Sequence, residues 1–307
     1  MTDRKLSARN ASSTIWTPTM SYSLGGCDTM PFEITHHERQ DEHEWAMACA
    51  KCDLDDPSDR LVTTTVDLVR RSYGESAVAA DAVEIFADEI AAGTFQMDHL
   101  TAAMRMGLPD PEKEGNKPPQ LTNYRSQTAE MIAKGALAKA YQFEYPAAPQ
   151  EGSANPNQPI LGFDGWGFVG DGNGGIALGL IQVKATEAAK SPPPDATALA
   201  DECKRVPTDV SALCRALTLL ARLLHGDPLQ SHVLRMLEQL GQGRLPAMRI
   251  APAVVRGLSA GSLTDLDPVR QAVADLSPAS LRAIVVTIGV CLQKFGLLVM
   301  NRAREAA

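Results

Sequence analysis

The chain has 307 residues, enough for one large domain or two ordinary ones, and 44% of them are hydrophobic, a globular composition rather than a disordered one. Aromatics make up only 5%, which argues against a stacking surface for single strands. The net charge of -8 argues against a protein that holds nucleic acid by overall basic charge.

Residues 1–30 are rich in Ser, Thr and Asn and read as a flexible lead. They carry no apolar signal-like run, so a cytoplasmic location with reduced thiols is expected. Residues 31–108 read as an acidic, mainly helical N-terminal region, opening with a strand or turn. From Pro31 to Arg60, nine acids face three bases, suggesting a partner surface or a charge shield for a site elsewhere. Cys49-x-x-Cys52, near His36, His37 and His43, lacks the second ligand pair of a zinc finger, so plain cysteines are expected in a segment, His43 to Lys51, that looks helical. Val62 to Val69 is β-branched enough to fit either a strand or a helix start. Ser76 to Ala92 and Met97 to Met106 have helical spacing, and Pro109 to Pro119 has the composition of a linker.

Ser126 to Tyr141 predicts a helix, with Ala129, Ile132, Ala133, Ala136, Leu137 and Ala140 on one apolar face and Glu130 beside it in an early turn. An acid there is favoured by the helix dipole and needs no further role to explain it. After a loop over Ala147 to Pro159 comes ILGFDGWGFVGDGNGGIALGLIQVKAT, Ile160 to Thr186. Gly172, Gly174 and Gly175 supply the backbone freedom for a tight reversal between two apolar strands. Alternation puts Gln182 and Lys184 on one face and Val183 on the other. Asp164, Gln182 and the Val183 carbonyl then offer the oxygen ligands a hard cation needs, and Lys184 a charge for a phosphate. An exposed hairpin edge fits the same residues.

The remaining elements follow in order. SPPPD stops the strand, and Asp195 or Thr197 caps a helix running through Ala200 to about His225, whose Lys204 could reach the site or DNA. Pro228 to Leu240 reads as a helix and Leu245 to Val255 as a strand. Bases outnumber acids from Lys184 to Arg256, so a local basic face beside the site is one expectation and solvated helix positions another. Leu281 to Met300 is very apolar but interrupted by Gln293 and Lys294, which predicts a core or interface helix rather than a membrane span.

A helix with Glu130, then Gly162-Phe163-Asp164-Gly165, then a strand ending in Gln182-Val183-Lys184, then a helix, resembles the PD-(D/E)xK nuclease superfamily. The glutamine is similar to the QxK of Mrr-type members. The wider layout resembles the nuclease subunits of Hachiman-type anti-phage defence systems. The resemblance spans roughly Gln120 to Arg256. It implies an α/β (α+β) fold with a restriction-endonuclease-like core, a central mixed sheet flanked by helices, over residues 120–307, plus the helical N-terminal region. It implies a metal-dependent deoxyribonuclease that uses Mg²⁺ or Mn²⁺ and works on DNA with a helicase-type partner. Asp164 would be the principal metal ligand, Gln182 would stand for the second acid, and Glu130 would complete the shell with the Val183 carbonyl. Lys184 would be the catalytic lysine. Because Gln182 lacks the usual negative charge, a silent nuclease-fold subunit that scaffolds or regulates a partner is the alternative expectation.

Overall fold

The computed structural model describes residues 30–108, 110, 124–146, 163–172, 174–205 and 209–305. The lead up to residue 29, most of the Pro109–Pro119 linker and the whole Ala147–Pro159 loop lie outside the described residues. The architecture is α/β: one six-stranded mixed sheet between two helical layers, in the order β1-β2-β6-β5-β4-β3. The strands are β1 (Glu33–Gln40), β2 (His43–Cys49), β3 (Gly165–Gly170), β4 (Ile176–Thr186), β5 (Met248–Arg256) and β6 (Ser280–Thr287). β2, β6, β5 and β4 run parallel, and the antiparallel β1 and β3 close the two edges.

Alternation along each strand sorts the core into two halves. Ala177 and Ile181 of β4, Ala251, Ala253 and Val255 of β5, and Ile284 and Val286 of β6 face one layer. That layer holds α1 (Arg60–Ser72), α2 (Glu75–Ile85), α3 (Ala87–Ala91), α4 (Met97–Met106), α5 (Tyr124–Tyr141) and, at the chain's end, α10 (Leu292–Arg304). Leu178 and Leu180 of β4, Ile250 and Val254 of β5, and Leu281 and Val285 of β6 face the other. There α6 (Ala196–Arg205), α7 (Val210–Leu223), α8 (Leu229–Gly241) and the short α9 (Asp267–Gln271) pack. Among the described residues, no helix is long and apolar enough to cross a membrane.

The expected hairpin is present, with Gly165 opposite Ile181 and Gly170 opposite Ile176. Its register pairs Gly167 with Gly179. The missing side chains leave a trough for two aromatic rings. A Cβ on Gly179 would sit 2.2 Å from Phe143 Cε1, and one on Gly167 would sit 2.9 Å from Tyr145 Cε1. Glu144 between those rings exchanges two backbone hydrogen bonds with Phe168, of 2.8 and 2.9 Å, and so covers the outer edge of β3.

Three expectations change, and the open choice at Val62 to Val69 is decided. His43 to Lys51 is not helical: its residues form β2, which pairs in parallel with β6, so residues 31–108 contribute two strands to the same sheet as the hairpin. Val62 to Val69 falls within helix α1, capped by Asp59, whose carboxylate accepts from the Val62 N–H at 2.9 Å. The helix expected from Ala200 to His225 is two helices, α6 and α7. Leu281 to Met300 is the strand β6 followed by helix α10. A central parallel strand is apolar on both faces, so its periodicity cannot be told from that of a buried helix. The β-branched run Ile284-Val285-Val286-Thr287 and the positive φ of Gly289 mark the break.

Much of the acidity before Arg60 is spent on local structure. Asp59 also accepts from Asp53 N at 2.9 Å, Asp56 accepts from Ser58 N at 2.8 Å, and Glu38 and Glu44 pair with Arg270 and Arg282. Burial, with Asp59 close by, pushes the Cys52 thiol up to about 12, so this cysteine is not a reactive thiolate at neutral pH.

Candidate functional site

Asp164 precedes β3, and its N–H donates to the Ile181 carbonyl at 3.0 Å, which extends the ladder by one residue and sets Asp164 beside Gln182. Alternation points Asp164, Gln182 and Lys184 to the face covered by α6. Val183 points to the other face, where it packs against the opposite core. The Val183 N–H lies beyond the end of the β3 ladder, and it donates to Asp164 Oδ2 at 2.7 Å. Its carbonyl shares that side of the strand, as the N–H and C=O of one strand residue do. The structure therefore brings together Asp164, Gln182, Lys184 and the Val183 backbone at one corner of the sheet.

Glu202, on α6, comes down onto this corner, and the sequence reading missed it. The Lys184 Nζ donates to Glu202 Oε1 at 2.6 Å. The second oxygen, Oε2, is buried and has no hydrogen-bond partner among the described residues. Lys204, the residue of α6 expected to reach the site, instead lies by Asp201 at 3.4 Å and Asp275 at 3.8 Å. The helical phase decides this: Leu199, Ala200 and Cys203 form the buried stripe of α6, and Glu202 borders it. A sequence signal existed, since a carboxylate next to a core position of the helix after a QxK strand is a reachable partner for the lysine.

A second residue also enters without having been foreseen. Lys134 of α5 is 2% exposed, and its side chain passes over Gly165, where a Cβ would sit 2.7 Å from Lys134 Cε. Glycine at 165 is thus what lets a lysine from the opposite layer approach the corner. Glu130 lies one turn before Lys134 on α5, half-buried, in the layer on the other face of the sheet from Lys184 and Glu202.

Several charged groups crowd together at this strand end. Burial holds the Asp164 carboxyl above its ordinary range. The Val183 N–H and the charges of Lys184 and Lys134 act the other way, and Glu202 adds to the rise. Burial also pushes the thiol of Cys203 up, with Glu202 and Asp164 contributing, so this cysteine is a packing residue. Gln182 is 4% exposed. The oxygen donors here are two carboxylates, an amide and a main-chain carbonyl, the chemistry that suits a hard divalent cation, with fewer formal charges than three acids would supply.

The strand end and α6 are held in place by a fully buried ion pair. Arg256, at the end of β5, donates to both oxygens of Asp265, at 2.7 and 2.5 Å. It also donates to the carbonyls of Ala188 and Lys190 in the loop between β4 and α6. Ser191 of that loop donates to Asp265 at 2.5 Å. Glu187, which begins the loop, accepts from Leu292 N at 2.5 Å, where α10 begins. Several bases counted between Lys184 and Arg256 are thus committed internally and do not form a basic face.

No family model, no curated protein and no solved structure matches this chain.

Proposed function

We propose that this chain is a metal-dependent deoxyribonuclease that hydrolyses phosphodiester bonds at the Asp164–Lys184–Glu202 corner. One observation carries the reading: two carboxylates and a lysine from three separate stretches of chain converge at a strand end, and one carboxylate oxygen there meets no hydrogen-bond partner among the described residues. An unsatisfied buried carboxylate oxygen is costly unless a ligand satisfies it.

Asp164, Glu202, the Gln182 amide oxygen and the Val183 carbonyl would hold Mg²⁺ or Mn²⁺. Such an ion, when bound, lowers the pKa of water and polarises the phosphate. Lys184 donates hydrogen bonds to a phosphate oxygen and offsets the charge that builds on it. Glu202 would release Lys184 in order to hold the cation, which frees the lysine for the phosphate. Asp164 is ionised when it binds a cation, and its raised pKa makes binding fall off at a higher pH than an exposed aspartate would. The setting in anti-phage defence, with a helicase-type partner, rests on the resemblance of the layout. Glu130, in the layer on the other face of the sheet, would contribute only as an outer acid, through water.

A second reading, a catalytically silent subunit, is favoured by a specific pair of facts. Gln182 replaces an acid, and Lys184 is already neutralised by Glu202 at 2.6 Å. The test is degradation of double-stranded and single-stranded DNA by the purified chain with Mg²⁺ or Mn²⁺, beside Asp164→Ala and Lys184→Ala. Metal-dependent cutting lost in both variants supports the nuclease. No cutting, together with no Mn²⁺-induced stabilisation that Asp164→Ala removes, supports the silent subunit.

A further inference from the structure

A cavity of about 590 Å³ opens at the opposite end of the strands. There the parallel strands begin, beside the β3–β4 turn and the β1–β2 hairpin. Along β4 this is about 20 Å from Lys184 at about 3.3 Å per residue. Three guanidinium groups line it: Arg39, Arg249 and Arg282. Main-chain carbonyls hold all three. Arg39 donates to Asp41 at 2.9 Å, Arg249 to Met248 and Asp171 at 3.2 and 2.6 Å, and Arg282 to Glu42 and Leu281 at 2.9 and 2.7 Å. A carbonyl positions a guanidinium without cancelling its charge.

Glu42, Glu44 and Asp171 also line the cavity. The Glu44 carboxylate lies 3.3 Å from Arg282 and is shared with His37, and the Asp171 carboxylate accepts from Gly175 N at 2.8 Å. The Arg282 side chain is 10% exposed. Burial lowers its pKa, and the neighbouring charges of Arg249 and Arg39 add to the effect, against Glu44 and Tyr141. The Nε of Arg249 is buried with no hydrogen-bond partner among the described residues. Three arginines thus meet at one cavity, Arg282 buried and Arg249 with a donor that no described residue accepts. Arginine forks match the paired oxygens of a phosphate.

We propose that this cavity binds a phosphate-bearing small molecule of mononucleotide size, with its phosphate on Arg249 and Arg282 and Arg39 closing from the rim. The volume falls within the usual range for such ligands, about 300–1,000 Å³. Leu245, Pro246 and the Tyr141 ring supply an apolar wall for the body of the ligand. Glu42, exposed at the rim, accepts hydrogen bonds from amino groups on it. The site is separate from the nuclease corner and does not depend on that reading.

The test is calorimetry and thermal shift of the full chain with inorganic phosphate, pyrophosphate and adenosine monophosphate at constant ionic strength. The expected result is saturable binding of the mononucleotide, weakened at least tenfold by Arg249→Gln. Arg39→Gln, an exposed change that leaves folding intact, weakens it less. No binding of any of the three probes overturns the proposal. So does an equal thermal shift from sodium sulfate at matched ionic strength, or affinity unchanged in the Arg39→Gln/Arg249→Gln double variant. Binding of inorganic phosphate without the mononucleotide overturns the assigned ligand size.

Discussion

Replacing Arg256 with Met removes a buried cation that organises the corner from behind. Arg256 and Asp265 are both 0% exposed. The guanidinium satisfies both carboxylate oxygens and two loop carbonyls at once. Met fills much of the same volume, so little of the cost comes from packing. Most of the cost comes from the carboxylate left behind, which retains Ser191 and the Ser262 N–H at 3.2 Å, and the rest from the Ala188 and Lys190 carbonyls that lose their donor. Holding an aspartate protonated at pH 7 costs about 4 kcal/mol, from about three pH units at about 1.4 kcal/mol each. Measured losses on breaking buried pairs run about 3–5 kcal/mol, which agrees. At about 2 °C per kcal/mol for a chain of this size, the melting temperature of Arg256→Met should fall by about 6–10 °C. Asp265→Leu added to it should recover most of the loss, since both charges are then gone. Urea denaturation of the parent, Arg256→Met and the double variant measures this directly. A single variant within about 1 kcal/mol of the parent, or a double variant less stable than the single, refutes the electrostatic account.

Three other outcomes follow from the same structure. Gly179→Ala must displace the buried Phe143 ring, since its Cβ would sit 2.2 Å from Cε1, and it should cost about 1–3 kcal/mol by urea denaturation; an unchanged midpoint would mean the trough is not close-packed. Asp164→Asn should stabilise the fold near neutral pH. The folded Asp164 holds its proton more tightly than the unfolded one, so its contribution is complete below the ordinary value of 3.8 and is lost as pH rises through the raised folded value. Asparagine never ionises, so the gap between variant and parent should be absent at low pH and open as pH rises. A variant less stable than the parent at pH 7 would contradict the assigned burial. Glu202→Gln should lower metal-dependent DNA cleavage at least tenfold, yet change stability by only about 0–1 kcal/mol, because the pair with Lys184 is partly exposed. A loss of stability without a loss of cleavage would make Glu202 a structural residue.

How much was legible beforehand differs between elements, and the reason is the range of the interactions that decide each one. The hairpin of β3 and β4, its turn glycines and the shared face of Gln182 and Lys184 were readable because alternation and turn chemistry are local. Helix α5 was readable for the same reason, through its apolar stripe. The strands β2 and β6 were not, because each pairs in parallel with a segment far along the chain, and a buried parallel strand has no periodicity of its own. Lys134 was hidden because its access depends on the absent side chain of Gly165, a contact between two layers. Glu202 and Lys204 are two residues apart on one helix, with the same chemistry of reach. The docking of α6 through Leu199, Ala200 and Cys203 decided that the acid, and not the base, meets Lys184. The amino-acid order by itself determined the class of residues available at the strand end and the local geometry presenting them. Which residues from the two helical layers complete that corner was decided by packing against the sheet, because helix phase is set by burying apolar surface that only the assembled core provides.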